Sequence, residues 1–177
     1  MGIIRRILGQ ETTSDVLDVL TSHHDRVDEL FEQIEKSAKG GQRTAAFTEL
    51  ADLLAAHATV EEKIFYPSVM TKDTTDQLHE SVEEHLGMKR LLADLIVNQV
   101  DEATFKAKIK VLKEQVSHHA HKEEEAKLFP KVKAMLGADE RAAIGNEVLV
   151  MFEELIVKHP MNKVPSETAE AAPLPNP

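Results

Sequence analysis

Residues 57–67 read His57-Ala58-Thr59-Val60-Glu61-Glu62-Lys63-Ile64-Phe65-Tyr66-Pro67, and residues 119–130 nearly repeat this pattern. In both stretches a histidine precedes a glutamate pair, and an aromatic residue followed by proline closes the segment. Positions four apart on an α-helix differ by about 40° in direction, so His57 and Glu61 can reach the same metal ion. Two such pairs within otherwise apolar helical sequence predict a helical bundle that holds two metal ions in its core.

The composition narrows the classes of protein that the chain can belong to. A chain of 177 residues is long enough for one domain with a sizeable core. It contains no cysteine, so disulfides, thiolate metal sites and cysteine nucleophiles are excluded. A formal net charge of -10 argues against nucleic acid as a partner, because contacts to phosphate need clustered Lys and Arg. No apolar run approaches the roughly 18 residues of a membrane span, and we expect a cytoplasmic protein.

Apolar residues recur with helical spacing through most of the chain and predict an all-α fold. We expect an up-down-up-down four-helix bundle over residues 14–137, with an additional C-terminal helix over 138–159. Residues 1–13 are basic and apolar but too short for a secretory signal, and we interpret them as a flap that packs on the bundle. Residues 160–177 are rich in Pro, Ala and Glu and have little to bury, which predicts a disordered tail.

One histidine falls on the apolar stripe of each of the four bundle helices. They are His24, His57, His85 and His119. A single buried histidine is commonly a core residue with polar partners, but four buried imidazoles all need partners that an apolar core cannot easily supply. A shared metal site supplies them. Glu61 and an acidic residue after His119 would complete the site, since a buried carboxylate is costly unless it binds a cation.

The acidic partner of His119 depends on the register of the fourth helix. A regular helix favours Glu123, four residues later, whereas alignment of Leu128 with the end of the second helix makes Glu124 the equivalent of Glu61. Both patterns hold if a π-bulge adds one residue between them, and we therefore prefer Glu124 and keep Glu123 as the alternative.

These residues resemble the hemerythrin family, specifically the bacterial hemerythrin-like HHE cation-binding domains, over about residues 14–137. The motifs that carry the resemblance are 22–31 (Ser-His-His-Asp-Arg-Val-Asp-Glu-Leu-Phe), 57–67, Glu83-Glu84-His85, His118-His119, Glu123-Glu124-Glu125 and Leu128-Phe129-Pro130. The resemblance implies a four-helix bundle that holds two oxo- or hydroxo-bridged iron ions. It further implies that Glu61 and Glu124 bridge the irons and that the four histidines are terminal ligands.

One departure from the family pattern concerns the third helix. Oxygen-carrying hemerythrins have two histidines four apart there, but the residue four before His85 is Ser81. Water or Tyr66, the only tyrosine, could fill the missing position. The remaining histidines are weaker candidates: we expect His23 on another face, His118 and His121 at solvent or behind the ligands, and His79 and His159 at the surface.

Three functions are compatible with such a site. The first is binding of dioxygen or a related small ligand, such as peroxide or nitric oxide, for sensing, storage or delivery. The second is an enzyme that disproportionates peroxide or removes nitric oxide, and the third is an iron-buffering stress protein. Ferritin-like di-iron bundles use Glu-x-x-His pairs, which this chain lacks. We expect a monomer or a weak homodimer.

Overall fold

The computed structural model describes residues 14–98 and 101–177, and every regular element in that part of the chain is helical. The predicted flap, 1–13, lies outside the described residues. Four long helices are joined by short loops, so neighbours run antiparallel and form the predicted four-helix bundle. They are α1 (Val16–Lys36), α2 (41–68), α3 (Thr75–Val97) and α4 (102–135), and α5 (Ala138–Ile156) follows them.

The starts of α1 and α4 are set by aspartate caps. The side chain of Asp15 accepts a hydrogen bond from Leu17 N at 3.0 Å, and Asp101 accepts one from Thr104 N at 2.9 Å. Such caps satisfy backbone donors that have no partner inside the helix. From Asp15 onward the helical period places a continuous apolar stripe of α1 in the core, and this stripe includes Val16, Leu20, Val27, Leu30, Phe31 and Ile34.

Helices α2 and α4 each contain a π-helical segment. In α2 it spans Glu61–Phe65, between Gly41–Val60 and a last turn at Tyr66–Ser68. In α4 it spans His118–Leu128, between Glu102–Ser117 and Phe129–Met135. The bulge predicted for the fourth helix is therefore confirmed, whereas the one in α2 was not foreseen.

A proline is the second residue of the α-helical turn that follows each π segment, Pro67 in α2 and Pro130 in α4. Proline has no N–H to continue either hydrogen-bond pattern, so the change back to α-helical register falls there. Pro67 precedes the end of α2 by one residue, but α4 continues to Met135.

Helix α5 packs against α1 and α2 on the outside of the bundle. The contact is closest at Gly145, where a Cβ atom would lie 1.7 Å from the carbonyl oxygen of Ser14. Farther along, Phe152 is buried and stacks on the His23 ring with a centroid distance of 4.1 Å. The additional helix thus reaches a histidine that neighbours the candidate site.

The prediction of a disordered tail from Pro160 is wrong for its first part. Pro160–Ser166 form a 3₁₀-helix that packs against α3 and α2, and Val164 is fully buried. Asp52 anchors this segment, accepting hydrogen bonds from Met161 N at 3.1 Å and from His159 at 2.8 Å. The composition of the segment did not indicate this contact, because it depends on the burial of Pro160 and Val164 and on Asp52, which lies in a different helix.

Within the part of the chain that the structure describes, no helix combines the length and the apolar character needed to cross a membrane.

Candidate metal centre

The first group of clustered donors comes from α1, α2 and α4. It consists of His24, His57, Glu61 and Glu124, all buried, whose ligand atoms lie within 4.8 Å of one another. The Nε2 atoms of His24 and His57 are 3.2 Å apart. His57 Nε2 lies 3.2 Å from Glu61 Oε1, and His24 Nε2 lies 3.2 Å from Glu124 Oε2. The α-helical part of α2 aligns His57 with Glu61, as the i, i+4 spacing predicts.

The second group combines α2, α3 and α4. It consists of Glu61, His85 and His119, all buried. Glu61 Oε2 lies 3.3 Å from His85 Nε2, which is 3.0 Å from His119 Nε2. Glu61 therefore turns one carboxylate oxygen to each group, and this is the geometry of a carboxylate that bridges two cations.

The distances within the two groups match those of a metal coordination shell. First-row metals such as zinc bind imidazole nitrogen at about 2.0–2.1 Å, so ligands 90–109° apart on one ion lie about 3.0–3.4 Å from each other. Among the described residues, Glu61 Oε1 and Glu124 Oε2 also have no hydrogen-bond partner although both are buried, and each lies 3.2 Å from an imidazole nitrogen. Donor atoms that face a common centre, and leave buried oxygens unsatisfied, fit bound cations.

The two candidate glutamates of α4 have different surroundings. Glu124 is fully buried and belongs to the first group. Glu123 accepts hydrogen bonds from Lys127 at 2.7 and 2.8 Å and lies 3.4 Å from His118 Nε2, and it is in neither group. The π segment puts Glu124 five residues after His119 on the same side, as the bulge argument predicts.

Tyr66 lies at the second group instead of merely packing at a helix end. Its hydroxyl donates to Glu124 Oε1 at 3.0 Å and lies 3.4 Å from Glu61 Oε2. The same oxygen is 3.5 Å from His85 Nε2 and 3.4 Å from His119 Nε2. Tyr66 follows Glu61 by five residues, so the π segment of α2 turns it to the same face. Burial, together with Glu124 and Glu61, raises the pKa of its phenol well above the usual value.

Three glutamates that the sequence analysis did not assign to the site lie behind the ligands. They accept hydrogen bonds from the outer Nδ1 atoms: Glu125 from His24 at 2.7 Å, Glu62 from His85 at 3.0 Å and Glu84 from His119 at 2.7 Å. Each glutamate adjoins a candidate ligand in sequence but contacts a histidine of another helix. Their position next to candidate ligands in the sequence was the signal that could have identified these glutamates. Which histidine each one contacts is known only from the packing of the helices in the fold. Such partners orient metal-ligating imidazoles and raise their basicity.

The carboxylates make the cluster attractive to positive charge. Burial lowers the pKa of His24, but Glu124 and Glu125 outweigh that effect and raise it to about 10. Burial likewise opposes protonation of His85, yet Glu61 and Glu62 raise its pKa to about 9. In the protein without metal, protons on His24 and His85 balance the charge of nearby carboxylates, and cations that bind there would displace these protons.

The other histidines lie largely where the sequence predicts, with one exception. His118 and His79 are exposed, and His159 is exposed while its ring contacts Asp52. His121 is half-buried and binds Glu125 and Asp28, both at 2.9 Å, so it lies behind the ligands. His23, expected on another face, is buried, with its Nδ1 3.3 Å from His57 Nδ1.

A small cavity of about 40 Å³ adjoins the four clustered imidazoles. The charged Lys89 also lines it, but most of its wall is apolar and includes Val27, Leu54, Met88, Leu92, Val116 and Val164. A cavity of this size holds one or two water-sized molecules. The metal-binding groups thus have a small, mostly apolar space beside them that suits a very small ligand.

Comparisons with known proteins identify the fold and the family of the chain. A hemerythrin HHE cation-binding domain-containing protein from Mycobacterium kansasii has a similar structure, with a TM-score of 0.71 and 23% sequence identity. The alignment covers 81% of this chain and 88% of that chain, and at this identity it supports the fold.

Sequence comparison finds a protein named DNA nickase from Nostoc sp. (strain PCC 7120 / SAG 25.82 / UTEX 2576), 27% identical over 126 residues. These residues are 71% of this chain and 36% of the relative, so the chain spans about a third of the relative's length. The family model described as Hemerythrin HHE cation binding domain matches residues 15–132, which include all the clustered histidines and glutamates. The chain therefore belongs to the hemerythrin HHE cation-binding domain family.

Proposed function

We propose that the protein is a non-haem di-iron protein that binds dioxygen or a related small ligand, for sensing, storage or detoxification. The proposal rests on one observation: the two carboxylate oxygens of Glu61 face two separate groups of imidazoles, next to a small apolar cavity. One cation in each group, bridged by Glu61, would use all the buried donors.

Iron is proposed because the donors are imidazoles and carboxylates without any thiolate, and family membership supports the choice. His24 and His57 would hold one iron, and His85 and His119 the other. Glu61 would bridge them, and Glu124 would bind the first iron with its Oε2 and approach the second, 3.8 Å from His119 Nε2. A pair of irons supplies reversible electron transfer to a small oxidant.

Tyr66 is proposed as an additional ligand of the second iron, at the position that Ser81 leaves open. Its oxygen lies 3.0–3.5 Å from four surrounding donors, the separation expected between neighbouring ligands of one metal. Without a cation the raised pKa of Tyr66 keeps its phenol neutral. A bound ferric ion would lower that pKa and favour the phenolate.

The cavity restricts the ligand to a few atoms. A space of about 40 Å³ admits dioxygen, nitric oxide or peroxide and excludes larger substrates. Its walls are mostly apolar, and the Lys89 ammonium on its lining donates hydrogen bonds to both oxygens of Glu62 at 2.9 Å.

An enzyme acting on peroxide is the second candidate, and the Tyr66 hydroxyl is the observation that favours it. In this alternative Tyr66 is not an iron ligand, and its buried O–H, which bonds to Glu124, would supply a proton next to the site for cleavage of the peroxide O–O bond. Two molecules of hydrogen peroxide would give two of water and one of dioxygen. Nitric oxide removal at the same site and a purely iron-buffering role are the remaining alternatives.

Metal analysis and optical spectra of the oxidised, iron-loaded protein test the proposal. We expect two irons per chain, the near-ultraviolet absorption of a bridged ferric pair, and a visible phenolate-to-iron band that Tyr66→Phe removes while both irons stay bound. One iron per chain, or none, would refute the di-iron proposal. Retention of the visible band by Tyr66→Phe would refute the role of Tyr66 alone. Dioxygen evolution from added peroxide separates the enzyme from the binding protein.

We further propose a monomer or a weak homodimer that works in the cytoplasm. The cysteine-free sequence fits a compartment where proteins do not rely on disulfides. Sedimentation of the metal-loaded protein tests the oligomeric state, and a stable higher oligomer would contradict it.

A further inference from the structure

The outer ring nitrogens of the four clustered imidazoles have two kinds of partner. Those of His24, His85 and His119 contact glutamates, as described above. The Nδ1 of His57 instead faces the Nδ1 of His23, at 3.3 Å. Among the described residues, His57 is thus the clustered imidazole whose outer nitrogen has a neutral ring as its hydrogen-bond partner.

His23 is held in place by packing and not by charge. Only 1% of its surface is exposed, and its ring stacks on Phe152 of α5 with an interplanar angle of 21°. Its Nε2 is buried and has no hydrogen-bond partner among the described residues. A ring nitrogen that accepts a hydrogen bond carries no proton, so a His23 ring that accepts at Nδ1 is neutral.

The hydrogen bond between the two rings ties their tautomers together. His57 can bind a metal through Nε2 only if its proton is on Nδ1, and this N–H then needs an acceptor. His23 Nδ1 is that acceptor, which places the proton of His23 on its unpartnered Nε2. Histidine therefore suits this position because it offers an unprotonated nitrogen to His57 without introducing a charge.

We propose that His23 is a positioning residue that holds His57 in the metal-binding tautomer and makes it the weakest donor of the four imidazoles. A carboxylate behind a ligating imidazole increases its basicity, and a neutral ring does so much less. The metal held by His24 and His57 is consequently the more weakly bound of the two. This inference rests on the proposed metal centre.

The test compares wild type with His23→Leu and His23→Asn, using Zn²⁺ in place of iron because it is diamagnetic and has no redox chemistry. Leucine keeps the bulk but removes the acceptor, whereas asparagine places an amide oxygen near the Nδ1 position. We expect His23→Leu to weaken one of the two zinc sites by about 10-fold in chelator competition, at the low end of the range for such partners. His23→Asn should stay within about threefold of wild type.

Two further readouts separate positioning from a merely structural role. Nitrogen NMR of the zinc-loaded wild type should show a proton on Nδ1 of His57 and none on Nδ1 of His23. The metal-free His23→Leu protein should melt close to metal-free wild type, since the substitution exchanges one unpartnered buried nitrogen, His23 Nε2, for another, His57 Nδ1.

Equal zinc affinity in wild type and His23→Leu would overturn the role of His23 while leaving the metal centre intact. Equal losses in His23→Leu and His23→Asn, or a proton on Nδ1 of His23, would also overturn it. Absence of zinc and iron binding by wild type would overturn both proposals.

Discussion

The two adjacent glutamates of α4 allow a sharp test of the site, because Glu124→Gln and Glu123→Gln are the same chemical change one residue apart. Both substitutions remove one negative charge and keep the size of the side chain. Glu124 is fully buried against His24 and Tyr66, whereas Glu123, which is 8% exposed, pairs with the exposed Lys127. We expect the first change to remove metal and the second to leave it bound.

The expected magnitudes follow from these environments. A metal present at 100 times its Kd stabilises the folded state by about 2.7 kcal/mol. In a chain of 177 residues each kcal/mol corresponds to about 2–4 °C in Tm, so the loss of one metal lowers Tm by about 5–11 °C. The Glu123–Lys127 pair is an i, i+4 contact with a largely exposed lysine, worth about 0.3–0.5 kcal/mol, or at most about 2 °C.

The assay measures metal content per chain and thermal unfolding for both variants, each with metal and after chelation. Wild type and Glu123→Gln should bind two metals and show the same rise in Tm on loading. Glu124→Gln should bind at most one metal and lose a corresponding part of that rise. If Glu123→Gln loses metal while Glu124→Gln retains both, then the π segment does not set the register of the site, and the reasoning is refuted.

Three other predictions concern pH, packing and access. The folded pKa of His24 is raised from 6.5 to about 10, so its contribution to the stability of the metal-free protein is complete below pH 6.5 and is lost as pH rises through 10. Chemical denaturation of the metal-free protein should therefore show a free energy of unfolding that falls by up to about 1.4 kcal/mol per pH unit. A flat profile from pH 7 to 10 would contradict this prediction. Gly145→Ala should destabilise the protein by about 1–3 kcal/mol, because the new methyl group would clash with the Ser14 backbone. Gly87→Ala is the control and should not destabilise it, because its Cβ would lie 3.9 Å from the nearest neighbouring atom. Equal unfolding midpoints for the two variants would rule out the close contact at Gly145. Val164→Ala removes part of the cavity wall and should lower the free energy of unfolding by about 2 kcal/mol. Chelators should extract iron from this variant faster than from wild type. An unchanged extraction rate would exclude access past this wall.

Much of the centre could be predicted because helical periodicity is local. The positions of His24, His57, His85 and His119 on the apolar stripes follow from counting along each helix, and the structure brings them together. The bulge in α4 was also predictable, since two parts of that helix implied registers that differ by one residue. The equivalent bulge in α2 gave no such conflict, because His57 and Glu61 already satisfy a regular helix. The sequence therefore offered Tyr66 only as an alternative to water at the position that Ser81 leaves open.

The contacts behind the metal-binding histidines could not be predicted from helical periodicity. Glu62, Glu84 and Glu125 each lie beside a ligand in the chain but bond to a histidine on a different helix. Their partners depend on which helices are neighbours and how far each is rotated. The burial of His23 likewise requires Phe152, which lies 129 residues later in the printed sequence.

Residue order along each helix was therefore enough to identify the bundle, the inward histidines and the need for cations between them. These properties repeat every few residues, and they depend on the direction of side chains about a single axis. The sharing of Glu61 between two groups, the neutral ring behind His57 and the packing of Val164 against the cavity depend on distances between different helices. Such distances are set by how whole surfaces pack, and the order of residues in one segment does not contain them.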